Sequence, residues 1–331
     1  MGFLFKTPEE RVARLLEKGL SAARTGAFDR ARADCEAAWN LAVAELDVAQ
    51  VRTDAAMALV NVCVAMQDWP AAEHALVRLC TSLLALRGPD TLEVVSAQRT
   101  LCDLYVQRAK PAEAIAVLEG LVARLPPRSA NALHLKAELA GIVSKAGDAA
   151  RARTLITEVM TQVEKMHPAG HPERAWAQQC AATIALRSGD LETAHPLAVA
   201  AYAGARVDEH RLASGLTLVD SLRRRREFAA AINVCEELPA VSQDPVSRAT
   251  VIETMADVLR DSGALHDAVP LYERATQMVN ASFGPNHFNL ITLLEGHAAT
   301  LRLMGRLTQA NELDAQRRAI EQAVRRPSSA G

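Results

Sequence analysis

The stretch Gly263-Ala-Leu265-His-Asp-Ala268 recurs in form as Gly305-Arg-Leu307-Thr-Gln-Ala310. Each has a turn-tolerant residue, an apolar residue two places later and alanine five places later. Upstream, the same form reads Arg226-Glu-Phe228-Ala-Ala-Ala231, Gly189-Asp-Leu191-Glu-Thr-Ala194 and Gly147-Asp-Ala149-Ala-Arg-Ala152. Ala109-Lys-Pro111-Ala-Glu-Ala114, Gln67-Asp-Trp69-Pro-Ala-Ala72 and Gly26-Ala-Phe28-Asp-Arg-Ala31 complete the set, at intervals of 37 to 42 residues. Self-similarity at such a period is the signature of a stacked repeat array.

The residues around each turn explain the recurrence. Glycine ends a helix where the backbone must take positive φ. The apolar residue and the alanine then begin a second helix and face the first. Seven places before each turn stands a small or medium residue: Gly19, Val60, Cys102, Ala140, Ala182, Val219, Ala256 and Ala298. That position admits a neighbouring helix at close range. Four places before the turn, Ala22, Cys63, Tyr105, Val143, Ala185, Leu222, Leu259 and Leu301 share the same helical face and pack within the hairpin. Such hairpins bury their apolar faces only by stacking on one another.

Composition agrees. Among 331 residues there are 63 alanines, while aromatic residues are only 4% of the chain, a strong helical bias. A net charge of -2 gives no basic footprint for nucleic acid, and twelve aromatics are too few for a base-stacking surface. Heavy alanine and arginine use points to a GC-rich, bacterial genome. No run approaches the roughly 18 apolar residues of a membrane span, and Met1 to Lys6 lacks the long apolar core of a secretory signal. The six cysteines (Cys35, Cys63, Cys80, Cys102, Cys180, Cys235) are dispersed and read as buried free thiols. A cytoplasmic location is expected.

The eight copies resemble the tetratricopeptide repeat over roughly residues 9 to 320. Three links, Arg87-Gly88-Pro89-Asp90, Gly170-His171-Pro172-Glu173 and Phe283-Gly284-Pro285-Asn286-His287, look like the kinesin-light-chain type of that repeat. The links around Pro126-Pro127 and Pro245 are divergent. The resemblance implies an all-α solenoid, a right-handed superhelix of about eight hairpins whose concave groove binds peptides or partner helices. It implies no enzyme activity and no cofactor. The array is expected over 7–326, with turns at 26, 67, 109, 147, 189, 226, 263 and 305, between an apolar extension (1–6) and a frayed tail (327–331). Thr7-Pro8-Glu9-Glu10 carries the signals of a capped helix start. Glu312 to Arg326 alternates as a capping helix with one wet face. Phe3, Leu4 and Phe5 are expected to cover the first hairpin's apolar end.

In the resembled family the first helix of each hairpin lines the groove. Counting thirteen, ten, six, three and two residues back from each turn places Ala13, Leu16, Leu20 and Ala23 there as an apolar opening. Met57 and Asn61, Arg99 and Asp103, and His134, Ser144 and Lys145 follow. Trp176, Gln179 and Arg187 come next, then Asp220 and Arg223. Glu253, Asp257 and Arg260, then Glu295 and Arg302, complete the surface. Mixed signs suit a partner protein or peptide of alternating charge. A carboxylate clamp of the chaperone-binding kind is not expected, because Leu16, Leu20 and Asp103 stand where polar donors are needed.

Other motifs read blandly. His167 and His171 are separated by Pro168 and Gly170, so they form a link rather than a helical zinc pair. His74, His195, His210 and His266 are isolated. Arg223-Arg224-Arg225-Arg226 reads as a solvated helix end favoured by the helix dipole, with an anionic-partner site as runner-up. No phosphate loop, hydrolase elbow or dinucleotide fingerprint is present. A non-catalytic adaptor is the expected function, with a regulator whose superhelix pitch responds to ligand as the alternative. An enzyme assembled across repeats is the remaining reading. Self-association remains open.

Overall fold

The computed structural model describes residues 7–89, 91–238, 244–285, 287 and 289–325. The extension 1–6 with Phe3, Leu4 and Phe5, the link residues Asp90 and Asn286, and the tail from Arg326 lie outside them. Sixteen helices pair around the eight turns among the described residues. Helices α1 (Pro8–Arg24) and α2 (Phe28–Glu45) flank Gly26, α3 (Ala49–Ala65) and α4 (Trp69–Arg87) flank Gln67, and α5 (Leu92–Gln107) and α6 (Pro111–Arg124) flank Ala109. Around Gly147 and Gly189 lie α7 (Ala130–Lys145) with α8 (Ala149–Met166), and α9 (Pro172–Arg187) with α10 (Leu191–Gly204). The last three pairs are α11 (Asp208–Arg224) and α12 (Phe228–Glu237), α13 (Pro245–Ser262) and α14 (Leu265–Phe283), and α15 (Leu290–Leu303) and α16 (Leu307–Arg325). The described chain forms two compact units, one running to Leu135 and one spanning Lys136–Arg325, although the repeat pattern in the sequence is continuous.

All eight turn residues are left-handed. Gly26, Gly147, Gly189, Gly263 and Gly305 have φ between 76° and 97°, and Gln67, Ala109 and Arg226 take φ of 58°, 54° and 64° without the freedom of glycine. The reason is a helix-ending hydrogen bond that spans six residues. The N–H just after the turn donates to the carbonyl four places before it, as in Ala27 to Ala22 (2.9 Å), Asp68 to Cys63 (2.8 Å) and Glu227 to Leu222 (2.9 Å). Asp68, Asp148 and Asp190 then cap the second helix by accepting from the N–H of Ala71, Arg151 and Thr193. At the start of the chain Thr7 and Glu10 form the expected reciprocal cap.

Packing follows the small-residue positions. The alanines five places after each turn (Ala31, Ala72, Ala114, Ala152, Ala194, Ala231, Ala268, Ala310) are all at 0% exposure. Val60, Cys102, Ala140, Ala182, Val219, Ala256 and Ala298, seven before it, are buried as well. Gly19 holds that place in the first hairpin, where an added Cβ would lie 2.7 Å from the Cys35 sulfur. Within each unit, second helices pack on the next first helix (α2 on α3, α10 on α11), and first helices touch one another (α1 with α3, α9 with α11, α11 with α13). The first helices therefore share one face of each unit.

Two arginines fasten the links. Arg52 donates to the Leu46 carbonyl (2.9 Å) and the Val43 carbonyl (3.2 Å), and Arg174 to those of His167 (2.9 Å) and Glu164 (2.7 Å). Both stand fifteen residues before their turn and hold the end of the preceding helix. His171 starts α9 by accepting the Glu173 N–H at 3.2 Å, and its ring stacks on His167 at 4.0 Å. His287 makes the equivalent stack on Phe283 at 4.2 Å. The two histidines lie in the link between repeats, where His167 ends α8 and His171 starts α9.

Removing the Cβ at a non-glycine left-handed turn relieves strain. Ala109→Gly and Gln67→Gly are each expected to raise stability by about 0.5–1 kcal/mol, and Gly189→Ala to lower it by about 1–2 kcal/mol, in urea melts of the full chain.

Candidate functional site

On the unit running to Leu135, α1, α3 and α5 bring Leu16, Leu20, Met57, Asn61, Arg99 and Asp103 to the shared first-helix side. Leu20 is 45% exposed, Asn61, Arg99 and Asp103 are exposed, and Met57 is half-buried. Partial desolvation raises the pKa of Asp103, and Arg99 opposes the shift. His134 and Lys145 on α7 are exposed, while Ser144 is buried and does not offer its hydroxyl at the surface.

The face of the unit spanning Lys136–Arg325 is more organised. A cleft of about 270 Å³ lies between α9 and α11, lined by Thr183, Leu186, Arg187, Leu216, Thr217, Asp220 and Arg224. Beside it, the Gln179 amide donates to Thr183 (3.1 Å) and Thr217 (3.2 Å). Trp176 and Gln179 border a smaller recess with His210 and Ser214. Arg187 is exposed, and its guanidinium reaches only the Gly141 carbonyl at 3.3 Å, without a carboxylate partner among the described residues.

Arg224, Arg225 and Arg226 are exposed at the end of α11, as expected of a solvated helix end, and Arg223 departs from that role. Arg223 is half-buried and reaches from α11 to Asp220 (3.0 Å), Asp257 (3.5 Å) and Asp261 (3.4 Å). Arg224 pairs with Asp220 and donates to the Leu186 carbonyl at 2.7 Å. Arg225 pairs with Glu227, and Arg226 is itself the left-handed turn residue. The cause is periodicity: Arg223, three before its turn, points at the next first helix, where two aspartates wait.

The network continues inward. Arg260 binds Asp257 (2.6 Å), Asp261 (2.9 Å) and the Tyr272 hydroxyl (2.9 Å), and Tyr272 donates to Asp257 at 2.5 Å. Tyr272 has 0% exposure and stacks on buried His297, whose pKa burial pulls down. Gly296 makes room, since a Cβ there would meet the tyrosine ring at 2.8 Å. Arg302 is exposed and pairs with Asp314 on α16, and Glu295 is exposed.

Glu253 sits in a second cleft, of about 230 Å³, with Val246, Ala249, Thr250, Val279, Asn289, Thr292 and Leu293. Burial, which outweighs a hydrogen bond from Thr292, and the nearby Asp257 push its carboxyl up to about 7. Among the described residues no ion pair to Glu253 is present.

Several residues of these clefts and of the ion-pair network were not among the expected set. Thr183, Arg224, Thr250, Asp261 and Thr292 stand six, two, thirteen, two and thirteen places before their turns, so the same count reaches them. Tyr272 and Asn289 lie outside that count and needed the three-dimensional packing. Among the described residues no group of three or more His, Cys, Asp or Glu could hold a metal ion, and no helix is long and apolar enough to cross a membrane.

Comparison with known proteins bears on the fold. Residues 247–323 match the family model of the tetratricopeptide repeat. A tetratricopeptide repeat protein from Parabacteroides merdae shares the fold, with 12% identity over 88% of this chain and 99% of that one and a TM-score of 0.57. The Rap protein in its complex with Competence and Sporulation Factor has 12% identity, covering 93% of this chain and all of its own, with a TM-score of 0.50. Kinesin light chain nearly identical TPR-like repeats from Podosopora anserina give 23% identity over 59% of this chain and 97% of theirs, with a TM-score of 0.48. No curated protein matches. The resemblance read from the eight turns is borne out to this extent: residues 247–323 match the tetratricopeptide repeat, and the fold is an all-α solenoid of helical hairpins.

Two substitutions probe these clusters. Glu253 binds its proton more tightly folded than unfolded, so wild-type stability should fall as pH rises from about 4.5 to about 7. Glu253→Gln should flatten that fall and be the more stable form at pH 8 by about 1–3 kcal/mol in urea melts. Tyr272→Phe should cost about 1–2 kcal/mol, because Asp257 and Arg260 lose a buried partner.

Proposed function

We propose that this chain is a non-catalytic adaptor that holds a protein or peptide segment of mixed charge on the first-helix face of its hairpins. The observation that carries the reading is the cleft between α9 and α11. There the Thr183 and Thr217 hydroxyls, held by the neighbouring Gln179 amide, line a recess with Arg187, a cation with no carboxylate partner of its own among the described residues. A guanidinium so placed binds an incoming carboxylate at little desolvation cost. Most other charges on that face are already paired within the molecule, so they shape the surface and select against wrong partners more than they supply affinity. Exposed Asn61, Arg99, Asp103 and His134 extend a similar mixture over the other first helices. The repeat fold is generally a protein-interaction scaffold, and the similar Rap protein was crystallised with Competence and Sporulation Factor bound.

The test is a paired capture from lysate of the source organism, read by mass spectrometry. The baits are wild type and a variant carrying Arg99→Glu, Asp103→Arg and Arg187→Glu, all at exposed positions. A partner retained by wild type and depleted about tenfold or more by the equally folded variant is the expected result. Equal retention by both would move the site off the first-helix face. Enrichment of no protein by either bait would overturn the adaptor reading.

A further inference from the structure

The cleft around Glu253 has a carboxylate and an aliphatic wall but no cation. Val246, Ala249, Val279 and Leu293 form the apolar side, and Thr250, Asn289 and Thr292 the polar side. The Thr250 hydroxyl donates to the Val246 carbonyl at 3.1 Å, so what it offers the cleft is its lone pairs. Glu253 is half-buried, and every acidic neighbour on its helix has its own cation: Asp257 has Arg223 and Arg260, and Asp261 has the same two. A carboxylate withdrawn from water is ordinarily paired or neutralised. Here the structure pairs its neighbours with arginines and gives Glu253 the Thr292 hydroxyl but no cation among the described residues. The volume, about 230 Å³, is several times that of a water molecule.

We propose that this cleft is a subsite for the primary ammonium of a lysine side chain on the bound protein segment, with Glu253 as its counter-ion. The four-carbon stem lies along Val246, Ala249, Val279 and Leu293, and the compact ammonium donates to the carboxylate and to hydroxyl or amide oxygens of Thr250 and Asn289. An ammonium fits better than a metal ion, because one carboxylate with neutral oxygens is a poor divalent site. The proposal rests on the reading of the first-helix face as the binding surface and adds a polarity to it. Arg187 on α9 is matched to an acidic residue and Glu253 on α13 to a basic one. First helices packed about 10 Å apart, with an offset of about 12 Å along the helix axis, put these two positions about 23 Å apart, which an extended segment spans in about seven residues.

The experiment is carbon-detected NMR of the full chain with labelled glutamate, titrated with N-acetyl-lysine N-methylamide and, separately, with its norleucine analogue. The expected result is a saturable shift of the Glu253 carboxyl carbon with the lysine probe. The norleucine probe should bind about tenfold or more weakly, and the lysine-induced shifts of the Val246 and Val279 methyls, labelled alongside and present in both proteins, should vanish in Glu253→Gln. That variant is expected to fold at least as well as wild type, so loss of the shift cannot come from unfolding. Equal effects of both probes would show a merely apolar cleft and overturn the proposal, as would absence of any saturable shift. Neither result bears on the lysate capture, whose variants leave Glu253 in place, so the adaptor reading stands or falls separately.

Discussion

Every hairpin in this protein depends on a contact with room for a methyl group and little more. The alanine that opens each second helix is fully buried against the first helix, and seven residues before each turn the facing side chain is small or medium. In the first hairpin even a methyl is too large, so Gly19 lies against Cys35. Close approach buries the apolar stripes of both helices, and that burial drives the fold. A larger residue at any of these positions would wedge the pair apart and misalign the first helices.

The turn geometry supports that contact. Each first helix ends with a six-residue hydrogen bond that forces its turn residue into the left-handed region, whether or not the residue is glycine. Gln67, Ala109 and Arg226 accept strain because the helix pairs on both sides are already fixed. On the exposed side the spacing sends Arg223, three places before its turn, to Asp257 on the next first helix, while Arg187 and Arg224, two places before theirs, reach back to the preceding one. The chain Arg223, Asp257, Arg260 and Tyr272 is the result, joining α11, α13 and α14 through charge-assisted bonds. Such a network costs desolvation and returns geometric definition rather than much stability.

The fold was largely legible because it repeats: eight samples of one pattern averaged away the weakness of any single signal. The turn residues, the buried alanines, the Thr7 cap and the linking role of His171 were all readable. The surface was readable only as a set of positions. The count that located Asp220 and Arg260 also reaches Thr183 and Thr292, but sequence cannot say which of them form clefts. That depends on the depth to which neighbouring hairpins sink. Arg223 was misjudged as solvated because its partners lie more than thirty residues away, on the next hairpin. Tyr272 was invisible for a related reason, since a tyrosine in a second helix shows no sign that Gly296 has cleared a space for its ring.

The arginine fasteners give the molecule a direction. Arg52 and Arg174 each reach backwards, and the carbonyls they hold belong to the hairpin before their own. Opening the later hairpin therefore frees the end of the earlier helix, whereas loosening the earlier hairpin's first turn leaves the fastener's own helix intact. At these two links order is lent from the carboxyl-terminal side to the amino-terminal side. During synthesis the earlier hairpin emerges with its last carbonyls still bare, and its final helical turn is secured only when the next arginine leaves the ribosome.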